Sequence, residues 1–190
     1  MTEITDNQRP LVVVVAGRPG SGKTSLAHAL AKAVRCPAIC RDEIKEGFVN
    51  TTGQVGEPDD DIGRRVYEAF FETLTLLLRH RITLVCEAAF QHKVWAPKLE
   101  PLREIANVRM VICNIEAELA RSRHIERGLA DPAREHFHHD RPVQAAREGI
   151  DLPIGDYDPP HLNVPTLNVD TSAGYQPAFE TIVSWVTAGS

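Results

Sequence analysis

The chain is poor in the features that mark membrane, secreted and metal-ribbon proteins. It has four cysteines, Cys36, Cys40, Cys86 and Cys113, and none sits in a paired C-x-x-C spacing. That argues against a zinc ribbon or a disulfide framework and fits a reduced cytoplasm. No apolar run approaches the roughly 20 residues that a membrane-spanning helix needs. Met1–Pro10 is polar and lacks a signal-peptide core, so residues 1–10 are expected to form a short disordered lead-in. There is no excess of positive charge. The formal net charge of -5 argues against the broad basic footprint of a nucleic-acid binder and leaves room only for a local basic funnel. Internal repeats and low-complexity tracts are absent. With 190 residues and 43% apolar content, residues 11–190 are expected to form a single globular domain.

What is present is concentrated near the start. Leu11–Ala16 is an unbroken apolar run followed at once by Gly17-Arg18-Pro19-Gly20-Ser21-Gly22-Lys23-Thr24, a complete G-x-x-x-x-G-K-[ST] phosphate-binding loop. Gly17, Gly20 and Gly22 free the backbone to turn its N–H groups inward, forming an anion nest with Ser21. A helix starting near Lys23 adds unpaired N–H donors and the positive end of its dipole, at Thr24 and Ser25 among others. Lys23 is expected to reach the β- and γ-phosphates, and the Thr24 hydroxyl to ligate Mg²⁺. The loop therefore predicts binding of a nucleoside triphosphate with Mg²⁺.

Downstream, strand and helix patterns alternate. Helix 1 is expected over Lys23–Arg35, a short strand near Pro37–Cys40, and a helix from Arg41 to about Phe48. Asn50–Asp60 reads as a mobile loop, Asp61–His80 as a long amphipathic helix, and Ile82–Cys86 as a strand ending in Glu87. A helix over Val94–Ala106 and a strand over Arg109–Ile115 follow. Glu116–Gly149 is Arg- and His-rich and starts helical, and Asp151–Pro165 is a proline-rich connection. Leu167–Val169 is a last short strand and Pro177–Thr187 a closing helix. This alternation predicts an α/β fold with a parallel sheet covered on both faces, whose ligands sit at the carboxyl ends of the strands.

Candidate chemistry gathers at those ends. Asp42 follows the second strand, where a carboxylate can orient an acceptor hydroxyl and take its proton; the competing reading is a helix N-cap. Arg41 and Lys45 flank it, either to hold an anionic acceptor group or as solvated helix charges. Glu87 resembles the carboxylate of a Walker B strand, with Glu where Asp is usual, so it serves either Mg²⁺ or the acceptor. Arg123 and Arg127, spaced i, i+4, share a helix face and can converge on one phosphate, with Arg121 nearby; solvated pairs with Glu118 or Glu126 are the alternative. The stretch Arg134–Arg141 contains His136, His138 and His139, but adjacent histidines do not share a ligand face, so a lid tip facing substrate or solvent is expected, not zinc. Asp170 and Thr171, in the turn after the last strand, are expected beside the nucleotide base. The acceptor is expected between Asp42, the Asn50–Asp60 loop and Glu87.

With these residues in this order, the chain resembles the P-loop small-molecule kinases of the AAA-domain-like group. That group is related to chloramphenicol phosphotransferase, zeta-toxin-type kinases and polynucleotide kinase. The resemblance implies a P-loop NTPase three-layer sandwich with a five-stranded parallel sheet of order 2-3-1-4-5. It also implies ATP as donor and a mobile helical lid at about residues 117–149. By the same likeness Asp42 is the general base, Lys45 faces a phosphate on the acceptor, and Arg123 and Arg127 are the lid arginines. The expected activity is transfer of the γ-phosphate to a hydroxyl of a small-molecule acceptor by a cytoplasmic monomer or homodimer. A 5′-hydroxyl polynucleotide kinase and an ATP-responsive switch that transfers nothing are the competing readings.

Overall fold

The computed structural model describes residues 9–55 and 61–188. β1 (Leu11–Gly17) is buried at every position, as expected for a β-branched run with neighbours on both edges and both faces. It pairs in parallel with β3 (Leu84–Ala88) on one side and with β4 (Asn107–Asn114) on the other. β2 (Ala38–Cys40) extends the sheet beyond β3, and β5 (Thr166–Asp170) extends it beyond β4. The order β2-β3-β1-β4-β5, all parallel, is the one the family resemblance implies. Side chains along β1 alternate between two cores. Val12, Val14 and Ala16 pack with α3 (Asp61–Arg79) and α4 (His92–Leu99). Val13 and Val15 pack with α1 (Lys23–Val34) and α8 (Phe179–Thr187). The first core centres on buried Trp95, whose ring meets Phe70, Phe71 and Phe90 edge-on at 5.9, 5.7 and 5.2 Å.

Three local expectations change. β3 starts at Leu84 and runs through Glu87 to Ala88, so Glu87 lies within the strand, in register with Val15 and Cys40. The reason is the turn after α3: Arg81 takes φ 62°, and Ile82, read as strand, is 39% exposed. The helix expected over Val94–Ala106 stops at Leu99 and gives way to a 3-10 turn at Pro101–Glu104, because Pro101 lacks the amide that a continuing helix would bond. α2 (Arg41–Thr52) runs past Phe48 into the expected loop and ends at Gly53. There φ is 67° and the N–H closes on the Val49 carbonyl at 2.7 Å. Residues 56–60 of that loop, and residues 1–8 of the lead-in, lie outside the described residues.

The region after β4 folds as α5 (Ala117–Ala130), α6 (Pro132–His138) and α7 (Arg141–Arg147). At the α5–α7 contact a Cβ on Gly128 would stand 2.5 Å from Val143 Cγ2, too close for any side chain. Residues 151–162 then run without regular structure past the start of α4. His92 N–H donates to the Asp158 carbonyl at 2.9 Å, and the His161 ring stacks on His92 with centroids 3.5 Å apart.

Candidate active site at the carboxyl ends of the strands

The loop between β1 and α1 turns on Gly20 and Gly22, at φ 83° and 77°, with Ser21 N–H donating to the Arg18 carbonyl at 3.1 Å. A Cβ on Gly20 would lie 1.9 Å from the Ala120 carbonyl oxygen, so the loop packs directly against α5. Lys23 opens α1, with Nζ 3.5 Å from Glu87 Oε1, and Thr24 Oγ1 donates to Glu87 Oε2 at 3.0 Å. Both members of the Lys23–Glu87 pair are buried. Burial pushes the Glu87 carboxyl above the ordinary range; Lys23 opposes that shift and Asp42 reinforces it. Ser21 Oγ is buried without a hydrogen-bond partner among the described residues. An orphan hydroxyl, a cradle where no Cβ fits and a hydroxyl–carboxylate pair together suit a phosphate chain and a hard divalent cation.

Asp42 occupies the first turn of α2. Cys40 takes the N-cap place, with no side-chain capping bond, so Asp42 is not the cap. Its Oδ1 lies 3.3 Å from Arg41 Nη1 and its Oδ2 3.3 Å from Arg134 Nη2. Burial works against the charged form. Lys23, His138, Arg41 and Arg134 outweigh it and hold the carboxyl far below the usual aspartate range. Because the folded value lies below the unfolded one, this stabilisation is complete above about pH 5 and fades as pH falls through the folded value. The thermal midpoint of wild type should therefore exceed that of Asp42→Asn by a constant margin from about pH 5 to about pH 8. The margin should narrow below about pH 4, and thermal unfolding in a buffer series reads it directly.

The Arg134–Arg141 stretch, expected as a lid tip contacting substrate or solvent, docks on α2. Arg134 bridges Asp42 to Glu46 at 3.4 Å and lies 3.9 Å from Asp140. His138 is buried, with Nε2 2.7 Å from Glu46 Oε1. Lys45, expected as acceptor ligand or solvated charge, is 4% exposed and donates to the His138 carbonyl at 3.4 Å. His139 turns away at φ 48° to end α6. Nothing in the residue pattern singled out Arg134. The one available signal was the Asp131-Pro132 start of a second helix after α5, with Asp131 capping Arg134 N–H at 3.2 Å.

The two arginines expected to converge on one phosphate have different partners. Arg123 donates to the Thr171 and Ser172 carbonyls at 2.9 and 2.6 Å, tying α5 to the turn after β5. In that turn Asp170 Oδ1 accepts from Ser172 N–H at 2.7 Å, and Thr171 Oγ1 donates to the Asn114 carbonyl at 3.1 Å. Arg127 Nη2 lies 3.4 Å from His124 Nδ1; burial first, then Arg134, lower its pKa, while Asp42, Asp140 and Glu87 raise it. Arg121 pairs with Asp151. Beside the loop lies a cavity of about 570 Å³, bounded by Arg18, Gln91, His124, Arg141, Leu152 and Ile154 among others. The sequence reading puts the acceptor on the Asp42–Glu87 side; this space opens on the Arg18 side. His124 connects the two, 3.6 Å from Asp140, which neighbours Arg134. Across Arg18, a cavity of about 310 Å³ reaches Asn114, Asp170 and Ser172.

Among known proteins, no curated one matches the chain. A solved structure of a candidate kinase from Chloroflexus aurantiacus is 26% identical, with a TM-score of 0.74, covering 94% of this chain and 97% of that one. APS kinase CysC of Mycobacterium tuberculosis, in complex with AMPPNP and APS, has a TM-score of 0.63 at 17% identity and covers 95% and 99%. A gluconokinase from Sinorhizobium meliloti has a TM-score of 0.52 at 21% identity and covers 95% and 91%. The likeness to the last two is one of fold. Among the described residues no helix is long and apolar enough to cross a membrane. The AAA domain model matches residues 12–151, most of the chain, and the protein belongs to that family, with the fold of its P-loop kinase-like group.

Proposed function

We propose that the protein is an ATP-dependent phosphotransferase that moves the γ-phosphate to a hydroxyl of a small-molecule acceptor. The observation that carries this reading is the position of Asp42. It is an ionised carboxylate in the field of the loop lysine, Lys23, and is bridged to the lid by Arg134. Backbone N–H groups of Gly20, Ser21 and Gly22 hold the phosphate chain, with Thr24 and Ser25 at the helix start. Lys23 moves from Glu87 to the β- and γ-phosphates. Thr24 and Glu87 are the residues suited to hold Mg²⁺, which when bound neutralises charge on those phosphates. Asp42 orients the acceptor hydroxyl and receives its proton as the oxygen–phosphorus bond forms and ADP leaves. A weakly basic carboxylate suffices, because in a loose phosphoryl transfer the acceptor proton departs late.

Arg127 and Arg134 are the lid cations that offset charge on the transferring group, while Arg123 shapes the base site at Asp170 and Thr171. Arg41 and Lys45 hold Asp42 and the lid in place. The cavity beside Arg18 suits an acceptor that carries an anionic group toward Arg18, Arg141 and His124 and an apolar part against Leu152 and Ile154. One observation favours the switch reading: Arg134 already occupies Asp42, as a latch would. Incubating the protein with γ-labelled ATP and a small-metabolite extract separates the two. A labelled low-molecular-weight product is expected and supplies the acceptor for mass identification. ATP binding without product, with extract, oligonucleotides or sugar nucleotides, would move the switch reading to the front.

A further inference from the structure

On the outer side of the β2–α2 junction, three side chains of different chemistry meet. His28 projects from α1, Cys40 ends β2, and Glu43 lies in the first turn of α2. Their ligand atoms all lie within 4.8 Å of one another. His28 Nε2 is 3.7 Å from Cys40 Sγ and 2.6 Å from Glu43 Oε1.

A tetrahedral zinc ion with ordinary bond lengths would set its nitrogen and sulfur ligands about 3.6 Å apart, and its nitrogen and oxygen ligands about 3.4 Å apart. The first spacing is already met. The second asks the Glu43 carboxylate to withdraw by under about 1 Å. His28 and Glu43 are each about half exposed, at 50% and 48%, so they can move and they open the site to solvent. Cys40 is buried and cannot move, but it does not need to. Its sulfur is held at the N-cap of α2 without any capping bond. Cys40 and Glu43 are three residues apart across the helix start, and α1 packs against β2 and holds His28 opposite them. The rigid parts of the fold, not a mobile loop, set the ligand spacing.

We propose that His28, Cys40 and Glu43 form a binding site for a Zn²⁺-class divalent cation, with solvent as fourth ligand. The donor set of imidazole, thiolate and carboxylate selects a borderline-soft metal and rejects Mg²⁺, which takes oxygen ligands. The site is therefore chemically separate from the one suited to Mg²⁺ at Thr24 and Glu87. On binding, the Cys40 thiol gives its proton to solvent and the thiolate coordinates the cation. No electron is transferred. Burial first, and then the negative charges of Glu87, Glu43 and Asp42, disfavour a bare Cys40 thiolate, and an added cation offsets those charges. The ion would clamp α1 to the first turn of α2, the turn that carries Asp42.

The test is Co²⁺ titration of the full chain without nucleotide, followed by absorption. Binding of one equivalent should give tetrahedral visible bands together with a near-ultraviolet thiolate-to-cobalt charge-transfer band. Zn²⁺ should bleach both, and should raise the thermal midpoint. His28→Gln and Glu43→Gln, both at exposed positions that leave the core intact, should weaken binding at least about tenfold. Cys40→Ser should abolish the charge-transfer band, and Cys36→Ser should leave it unchanged. The proposal is overturned if Co²⁺ binds without that band, or not at all. It is also overturned if His28→Gln leaves the Co²⁺ affinity unchanged or if the band disappears in Cys36→Ser.

Discussion

Asp42→Asn is expected to leave nucleotide affinity within about a factor of three while lowering turnover by roughly 10²–10⁴, the usual range for loss of a general base. The side chains are nearly isosteric, and the single amide oxygen of Asn keeps one of the two contacts that Arg41 and Arg134 make to the separate oxygens of Asp42. The loop, Lys23 and Thr24 are untouched, so ATP should bind as before. What is lost is the anionic acceptor for the hydroxyl proton and the charge that orients that hydroxyl. Calorimetric titration with a non-hydrolysable ATP analogue reads the first quantity, and steady-state turnover of the acceptor found by labelling reads the second. An unchanged kcat would remove Asp42 from the role given to it here and point to orientation by Arg134 or Glu87 instead. A joint loss of affinity and turnover would show that the substitution had disturbed the docking of the lid.

Gly20→Ala is expected to abolish nucleotide binding and to destabilise the fold. Two penalties add. At φ 83° an L side chain strains the backbone by roughly 1–2 kcal/mol. The new Cβ would also lie 1.9 Å from the Ala120 carbonyl, which belongs to the backbone of α5 and cannot rotate away. Relief requires the loop or α5 to shift. Either movement turns N–H groups away from the phosphate position or pulls Arg123 off the Thr171 and Ser172 carbonyls. The expected result is a lower thermal midpoint and no further rise on adding ATP. Gly22→Ala is the control, because a Cβ there meets no atom within 4 Å and only the left-handed φ opposes it. Equal effects of the two substitutions would mean that the contact with α5 contributes nothing.

Much of the architecture was legible because it is local. The valine run of β1 reads as a strand buried on both faces, and the glycine spacing that follows reads as a phosphate-binding loop. The sheet order came from family likeness, because parallel pairing joins strands far apart in the chain and no local pattern states which edge meets which. Boundaries failed where turn geometry overrode hydrophobicity. Ile82 is apolar yet belongs to the turn set by Arg81, and Asn50–Thr52 looks like loop yet stays helical until Gly53 ends it.

The site divides in the same way. Lys23, Thr24 and Glu87 were legible as candidates because the first two open α1 and the third lies in the last part of an apolar strand. The partners of the arginines after β4 were not. Helix periodicity put Arg123 and Arg127 on one face, but a guanidinium on a long flexible stem goes to whatever acceptors the fold brings within reach. For Arg123 those are the Thr171 and Ser172 carbonyls, 48 and 49 residues away. Arg134 meets Asp42 across 92 residues, and His138 meets Glu46 across the same separation. The sequence by itself determined the strand–glycine loop–helix unit over Leu11–Val34 and the α/β class, because those follow from backbone conformation and strand burial over a few residues. Only the tertiary structure decided that Arg134 faces Asp42 and that His28 and Glu43 meet beside Cys40, because those contacts depend on how separate helices pack.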